Sequence, residues 1–200
     1  MNVQPAYSAN GFPEATEVQG IHPKKFILTL LILSICMMFG AFTSAYIVRR
    51  AEGNWVEFTL PNLFIITSVL IVLSSVSMQW AHYAARKNLL ATMRLMLVIT
   101  LVLGAAFVVG QVYAWGELVQ NEIFFGGDTA NPSGSFLYVL TGVHAFHIVT
   151  GLLFLIIVLI SAFQYKVHSK NTLRIDICTI YWHFLGGLWL YLYIFLVINH

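Results

Sequence analysis

The sequence predicts an all-α, polytopic membrane protein built as a bundle of five transmembrane helices. Of the 200 residues, 59% are hydrophobic and only 9% are charged, whereas a soluble domain averages about 25% charged residues. Five long uncharged stretches follow one another between the few charged residues. They are continuously apolar rather than alternating, which favours helices over a closed barrel, the other structure that satisfies the backbone in lipid.

Each uncharged stretch is long enough for one crossing, because a helix needs about 20 apolar residues to span the hydrocarbon core. Lys25 and Arg49 delimit the first stretch, and Asp176 precedes the last. In the fourth stretch, residues 131–134 have the composition of a turn, so the helix is expected to begin near Gly134. The predicted spans cover residues 26–48, 60–82, 94–116, 135–164 and 177–198.

Residues 1–24 differ from the rest of the chain. They are polar, and residues 1–23 hold three of the five prolines. They lack the basic start and apolar core of a secretory signal peptide. We therefore expect a flexible cytoplasmic tail over residues 1–24, followed by a five-helix membrane domain over residues 25–200.

Basic residues determine the predicted orientation, since they concentrate in cytoplasmic loops. With the N-terminus inside, only Arg49 and Arg50 lie outside. The other basic residues then all lie inside: Lys24, Lys25, Arg86, Lys87, Arg94, Lys166, Lys170 and Arg174. The sequence predicts a cytoplasmic N-terminus and an external C-terminus.

The predicted spans contain no acidic or basic residue near their centres. Proton pumps, ion transporters and voltage sensors place ionisable groups there, which disfavours a stand-alone transporter or channel. The sequence also lacks the motifs of hydrolases, ATPases and dehydrogenases. Its net charge of +2 gives no support to a nucleic-acid partner.

Four histidines are candidate ligands for a metal or a haem, because imidazole is a common ligand. His144 and His147 share one face of the fourth span, His82 ends the second span, and His183 lies in the fifth. This spacing does not indicate two facing ligands with room for a macrocycle. The alternative is that these side chains are buried and hydrogen-bond between helices. We expect that role, with no metal site and no catalytic residue.

Aromatic and small residues complete the candidates. Tryptophans near the span ends indicate an interfacial belt, whereas Trp189 fits either helix packing or a protein–protein face. Small residues let helices approach closely in lipid, and we expect Gly151 and Gly187 to lie at close contacts. The residues assigned to the belt are Trp55, Trp80, Trp115 and Trp182.

Several of these segments resemble subunit III of the haem-copper oxidases. The second span ends in Trp-Ala-His at residues 80–82, and the third carries Gln111, where that family commonly has a glutamine. The fourth contains a Gly-x-His-x-x-His-x-x-x-Gly motif at residues 142–151, and the fifth contains Tyr-Trp-His-Phe at 181–184 and Trp-Leu-x-Leu-Tyr at 189–193. The resemblance covers residues 26–198, and five spans match the bacterial form.

The resemblance implies a subunit that holds no redox cofactor, because haem and copper belong to subunits I and II of such oxidases. It implies a partner of subunit I and subunit II in the bacterial inner membrane, where it binds phospholipid and protects proton uptake. Membership of a larger respiratory supercomplex stays open. The residues expected in contacts between helices or with lipid are His82, Gln111, His144, His147, Gly151, Trp182, His183 and Trp189.

The chain departs from this family at three positions where many members carry a membrane carboxylate. Here these positions are occupied by Ile35, Ala114 and Gly186, so a proton-linked role of those acids does not transfer directly. Three other assignments stay open at this point: a quinol oxidase subunit III, an accessory subunit of nitric oxide reductase, and a stand-alone transporter.

Overall fold

The computed structural model describes residues 23–53, 55–56, 58–127, 131–164 and 172–199. These residues form five helices and no strand, and each helix is long and apolar enough to cross a membrane. The predicted fold class is therefore confirmed. The helices are α1 (Pro23–Ala51), α2 (Leu63–Arg86), α3 (Leu90–Gln120), α4 (Pro132–Phe163) and α5 (Leu173–Asn199). Residues 1–22 of the predicted tail lie outside the described residues.

Most helix ends lie beyond the predicted spans. The first helix begins at Pro23, inside the predicted tail, and α2 continues past His82 to Arg86. The predicted spans stop at charged or polar residues, whereas backbone hydrogen bonding continues through those residues. There are two exceptions. The fourth helix ends at Phe163, one residue before the predicted end, and α2 begins at Leu63 rather than residue 60, because Pro61 is better suited to a turn than to a helix interior.

The start of α4 shows why one boundary was predicted too late. The helix begins at Pro132 rather than near Gly134. The side chain of Asn131 accepts a hydrogen bond from the Ser133 backbone N–H at 3.1 Å, which caps the helix. Proline at the first helical position has a fixed φ that suits a helix. The residues interpreted as a turn are therefore a helix N-terminus.

The helices pack as a compact core with one peripheral member. A short turn at residues 87–89 joins α2 and α3, and Asn88 adopts φ 59° there, a left-handed conformation in which Asn is enriched. The second and third helices pack against each other, α3 also packs against α4, and α5 packs against both α2 and α4. The first helix packs against α4 and α5. The best-buried side chains lie between these helices.

The outer faces of the bundle are apolar. Along α3, every exposed side chain from Leu95 to Val112 is a valine, leucine or alanine. A soluble protein rarely exposes a continuous apolar surface of this extent. The chain is therefore a multi-pass membrane protein whose outer side chains face hydrocarbon or another membrane subunit.

Candidate functional site

Two indole–serine hydrogen bonds join α5 to α2. Trp182 Nε1 donates to Ser74 Oγ at 3.1 Å, and Trp189 Nε1 donates to Ser68 Oγ at 2.9 Å. The two tryptophans are seven residues apart, so they lie on one face of α5, and both are almost fully buried. Each serine hydroxyl in turn donates to a carbonyl of its own helix. These polar groups therefore satisfy one another in the bundle interior, as a lipid environment requires.

This arrangement corrects one prediction and decides between two others. Trp182 is buried, with 1% of its surface exposed, so it is not part of an interfacial belt. The prediction relied on the position of Trp182 near the end of an apolar stretch. Its burial is instead determined by the face of α5 on which it lies, which packs against α2. Trp189 is also buried and serves helix packing.

The ring of Trp182 lies against two glycines from two further helices. A Cβ placed on Gly104 of α3 would lie 2.6 Å from Trp182 Cη2, and one on Gly151 of α4 would lie 2.9 Å from Leu185 Cδ1 and 3.4 Å from the Trp182 ring. The distances of 2.6 Å and 2.9 Å are both shorter than van der Waals contact, so neither glycine could carry a side chain without a shift of its neighbour. Trp182 thus connects α2, α3, α4 and α5 through one side chain.

The two glycines singled out from the sequence behave differently. Gly151 lies at a close contact, as expected. Gly187 does not, because no atom lies within 4 Å of a Cβ built there. It lies on the exposed face of α5, so the close contact expected at Gly187 is not made with another described residue of this chain.

His82 forms part of an ionic cluster at one end of the bundle, defined here as Lys25, His82, Arg86 and Asp176. His82 Nε2 donates to Asp176 Oδ1 at 2.7 Å. Lys25 and Arg86 each approach the same carboxylate at 3.9 Å. The cluster connects the ends of α1, α2 and α5. The sequence indicates Asp176 only as the charged residue that precedes the last span and does not reveal its partners.

His183 and Gln79 form a polar pair on the outer surface between α5 and α2. His183 Nε2 donates to Gln79 Oε1 at 3.0 Å. The Gln79 side chain is exposed, and that of His183 is half-buried. This bond is interhelical like that of His82, but it lies outside the ionic cluster and faces outward.

His144 and His147 both contact Phe39 of α1, with ring centroids 6.4 Å and 6.0 Å away. His147 Nδ1 donates to the Val143 carbonyl of its own helix at 2.8 Å. His144 is fully buried, and its two ring nitrogens have no hydrogen-bond partner among the described residues. Its contacts to other helices are with rings, including Trp189 at 5.3 Å. The expected interhelical hydrogen bond is therefore not found at His144.

Gln111 links the α2–α3 hairpin from inside. Its Nε2 donates to Thr67 Oγ1 at 3.1 Å, and both side chains are buried. The neighbouring Gly110 allows this approach, since a Cβ there would lie 2.6 Å from Thr67 Cγ2. The glutamine side chain and the glycine together fix the spacing of the two helices.

The four histidines have separate partners: a carboxylate, a side-chain amide, a backbone carbonyl and a set of aromatic rings. Within the parts of the chain that the structure describes, no three His, Cys, Asp or Glu side chains gather as metal ligands. The chemistry that this arrangement supports is helix association by hydrogen bonds, ring contacts and close packing at glycines.

The fold and these contacts define a polytopic membrane bundle in which several interior polar side chains join one helix to another. The model of the family Cytochrome c oxidase subunit III matches residues 17–199. The chain belongs to this family, which confirms the resemblance found in the sequence motifs.

Named relatives agree with this assignment. The chain is similar to cytochrome c oxidase subunit 3 of Corynebacterium diphtheriae, with 33% identity over 83% of each chain. It is 30% identical to the probable cytochrome c oxidase subunit 3 of Nocardia farcinica, over 93% of this chain and 96% of the relative. A subunit 3 from Synechocystis sp. is 29% identical over 84% of this chain and 72% of its own length.

Proposed function

We propose that this chain is the non-catalytic subunit III of a proton-pumping haem-copper terminal oxidase of the cytochrome c oxidase type, acting in aerobic respiration. The family match over residues 17–199 carries the proposal. Membership of an oxidase complex follows from the family. Subunit I is the main partner and subunit II a further one, and these two subunits hold the haem and the copper.

The contacts of the histidines support this division of labour. His82 is hydrogen-bonded to a carboxylate and His183 to an amide, while His144 is enclosed by aromatic rings. Two facing imidazoles with room between them for a macrocycle are not formed by these three side chains. These contacts support the proposal that electron transfer takes place in the partner subunits and that this chain contributes packing surface.

The mechanical role rests on the rigidity of the bundle. Trp182 closes the space between four helices, and a buried tryptophan at glycine contacts leaves little freedom for the helices to shift. A stiff bundle packed against subunit I limits the opening of that subunit near its proton entrance. In this way the chain stabilises subunit I and preserves its proton uptake over many turnovers.

The proposed protection of proton uptake does not require a carboxylate of this chain. At the three positions where many family members carry one, Ile35 and Ala114 are buried among apolar side chains, and Gly186 faces Ser75. None of these residues binds or releases a proton. The effect on proton uptake is therefore structural.

Phospholipid is a further expected ligand. An apolar groove of about 410 Å³ lies between α1 and α4, lined mainly by Leu28, Leu31, Phe146 and Phe154. The Thr150 and Tyr181 hydroxyls, 3.0 Å apart, lie along it. Such a groove is suited to an acyl chain. The proposed location is the bacterial cell membrane, with the ionic cluster on the cytoplasmic side.

Purification of the tagged chain in mild detergent tests the proposal. We expect haem-bearing subunits to copurify, with the absorption spectrum of a terminal oxidase and oxidation of cytochrome c by the complex. Deletion of the chain is expected to leave initial oxidase activity but to shorten the number of turnovers before inactivation. Recovery of the chain without any haem-bearing polypeptide would refute the proposal, and a complex that oxidises quinol or reduces nitric oxide would support one of the alternatives.

A further inference from the structure

We propose that the outer face of α5 around Gly187, together with the Gln79–His183 pair, is the docking site for a transmembrane helix of a neighbouring oxidase subunit, and that this helix presents a hydroxyl or amide side chain to the pair. The inference rests on the proposed function, because it names the face by which the chain joins the complex. We call this surface the α5 docking face, defined by Gln79, His183, Phe184, Gly187 and Tyr191.

The first support is the depth of the polar pair. His183 lies seven residues beyond Asp176, and Gln79 lies seven residues before Arg86. At 1.5 Å per residue, His183 is about 10 Å from Asp176 along α5, and Gln79 is about 10 Å from Arg86 and about 4.5 Å from His82 along α2. The hydrocarbon core is about 30 Å thick, so with Asp176 and Arg86 at its border the pair lies within the hydrocarbon.

The second support is the hydrogen-bonding capacity that remains. After the bond between His183 Nε2 and Gln79 Oε1, the glutamine still has two N–H donors and the histidine a second ring nitrogen. Polar groups that face acyl chains without partners are costly. A side chain from another protein helix supplies partners at this depth, whereas an acyl chain has none to offer.

The third support is the space around Gly187. The glycine is exposed, and a Cβ there would contact nothing. Grooves of about 320 Å³ and 420 Å³ lie on its two sides, the first between α2 and α5 and the second between α1 and α5. Glycine on an outer helix face allows a second helix to approach closely, and flanking grooves accept the side chains of that helix.

The outer face of α3 provides the contrast. From Leu95 to Val112 its exposed side chains are all apolar, and none offers a hydrogen bond. Such a face is suited to acyl chains alone. The α5 docking face differs in both respects that matter for a protein partner: it has hydrogen-bonding groups at membrane depth, and it has a gap in its side-chain surface.

Photo-crosslinking in membranes containing the whole oxidase tests the site directly. Phe184→p-benzoylphenylalanine keeps the aromatic ring and extends it by a photoreactive benzoyl group towards the surface around Gly187. Tyr113→p-benzoylphenylalanine, on the exposed surface of α3, is the control. We expect the first variant to form an adduct with another oxidase subunit and the second to form lipid adducts. Lipid adducts alone at position 184 would overturn the proposal.

A steric variant provides an independent measurement. Gly187 follows Asp176 by as many residues as Ala105 follows Arg94, so Gly187→Trp and Ala105→Trp place the same side chain at similar depth on exposed faces. We expect the amount of chain retained per haem to fall several-fold for Gly187→Trp only, at equal amounts in the membrane before solubilisation. Wild-type retention of Gly187→Trp would overturn the docking site. Absence of haem from the wild-type preparation would instead refute the proposed function.

Discussion

Trp189 of α5 donates its indole N–H to Ser68 of α2 across 2.9 Å. The bond has a counterpart two helical turns away, where Trp182 donates to Ser74. In lipid the hydrophobic effect does not drive helices together, so association depends on such polar bonds and on packing. The paired tryptophans therefore account for much of the attachment of α5 to α2.

Replacing Trp189 by phenylalanine removes the donor and keeps a large aromatic ring. Side-chain hydrogen bonds in membrane proteins contribute about 0.6 kcal/mol on average and up to about 1.7 kcal/mol. We expect Trp189→Phe to lower the free energy of unfolding by about 1 kcal/mol, measured by thermal unfolding of the purified chain in detergent. Trp80→Phe, at an exposed tryptophan, is the control, and an equal loss in both variants would contradict the assigned role of the bond.

The glycines beside Trp182 give a prediction about packing. Gly104→Ala adds a methyl group 2.6 Å from the indole ring, and overpacking of this kind costs about 1–3 kcal/mol. Gly187→Ala adds the same group in open space and removes a glycine from a helix interior, which favours the helix by up to about 1 kcal/mol. We expect opposite shifts of the unfolding temperature in these two variants. A rise in both variants would show that helix propensity outweighs the close packing at Gly104, and a drop of the same size in both would contradict the difference in packing between the two sites.

In the ionic cluster, we expect the stability of the chain to depend more on Asp176 than on Arg86. The Asp176 side chain is 13% exposed, whereas that of Arg86 is 63% exposed. A hydrogen bond to a charged group contributes about 1.5–3 kcal/mol, and exposed ion pairs contribute at most about 1 kcal/mol and are screened by salt. We expect Asp176→Ala to destabilise the chain strongly at any ionic strength. Arg86→Ala should have a small effect that disappears in high salt; a larger loss than for Asp176→Ala would contradict this ranking.

The ring nitrogens of His144, unpaired within the described part of the chain, predict that its replacement by phenylalanine does not destabilise the bundle, which the sequence alone does not indicate. Because its ring nitrogens have no partner among the described residues, His144→Phe removes unsatisfied polar atoms while keeping an aromatic ring between Phe39 and Trp189. Unsatisfied buried groups cost about 1–3 kcal/mol. We expect unchanged haem per complex and equal or higher thermal stability. Loss of haem in this variant would revive the ligand hypothesis, and His82→Phe, which breaks a hydrogen bond, serves as the destabilised comparison.

The orientation can be tested at two exposed loops. Lys87→Cys lies in the turn between α2 and α3, and Gly126→Cys lies in the loop between α3 and α4. In a Cys36→Ser background, a membrane-impermeant maleimide added to intact cells should label position 126 only. Position 87 should react after permeabilisation. The reverse pattern would place the N-terminus outside.

The number and type of helices could be predicted because the signal is local. Long apolar stretches bounded by charge need only composition and length to be interpreted. The helix ends could not, since Arg86 and Pro132 continue or begin helices through backbone bonding that composition does not indicate. The start of α4 had a readable signal, an Asn-Pro pair typical of a helix N-terminus.

The site was harder to predict because it depends on which face of each helix is buried. The sequence shows that Gly104, Gly151 and Gly187 are small, but not that two of them contact Trp182 and its neighbours while the third faces outward. Asp176 likewise was visible as a charge, but its partners come from helices distant in sequence. The hydrophobic periodicity of α3, α4 and α5 is too weak to show which face of each helix is buried, because most residues on every face are apolar.

The position of α1 has a consequence for how the molecule is made. This helix precedes the other four in the chain, yet its neighbours are α4 and α5, the last of the five to be synthesised. Its bond to α5 from Thr43 to Tyr191 at 3.0 Å cannot form until α5 has been synthesised. During biogenesis α1 therefore lies in the bilayer without helix contacts until α4 and α5 are inserted. In a chain truncated after α3, α1 would have no helix to pack against and would be accessible to membrane proteases.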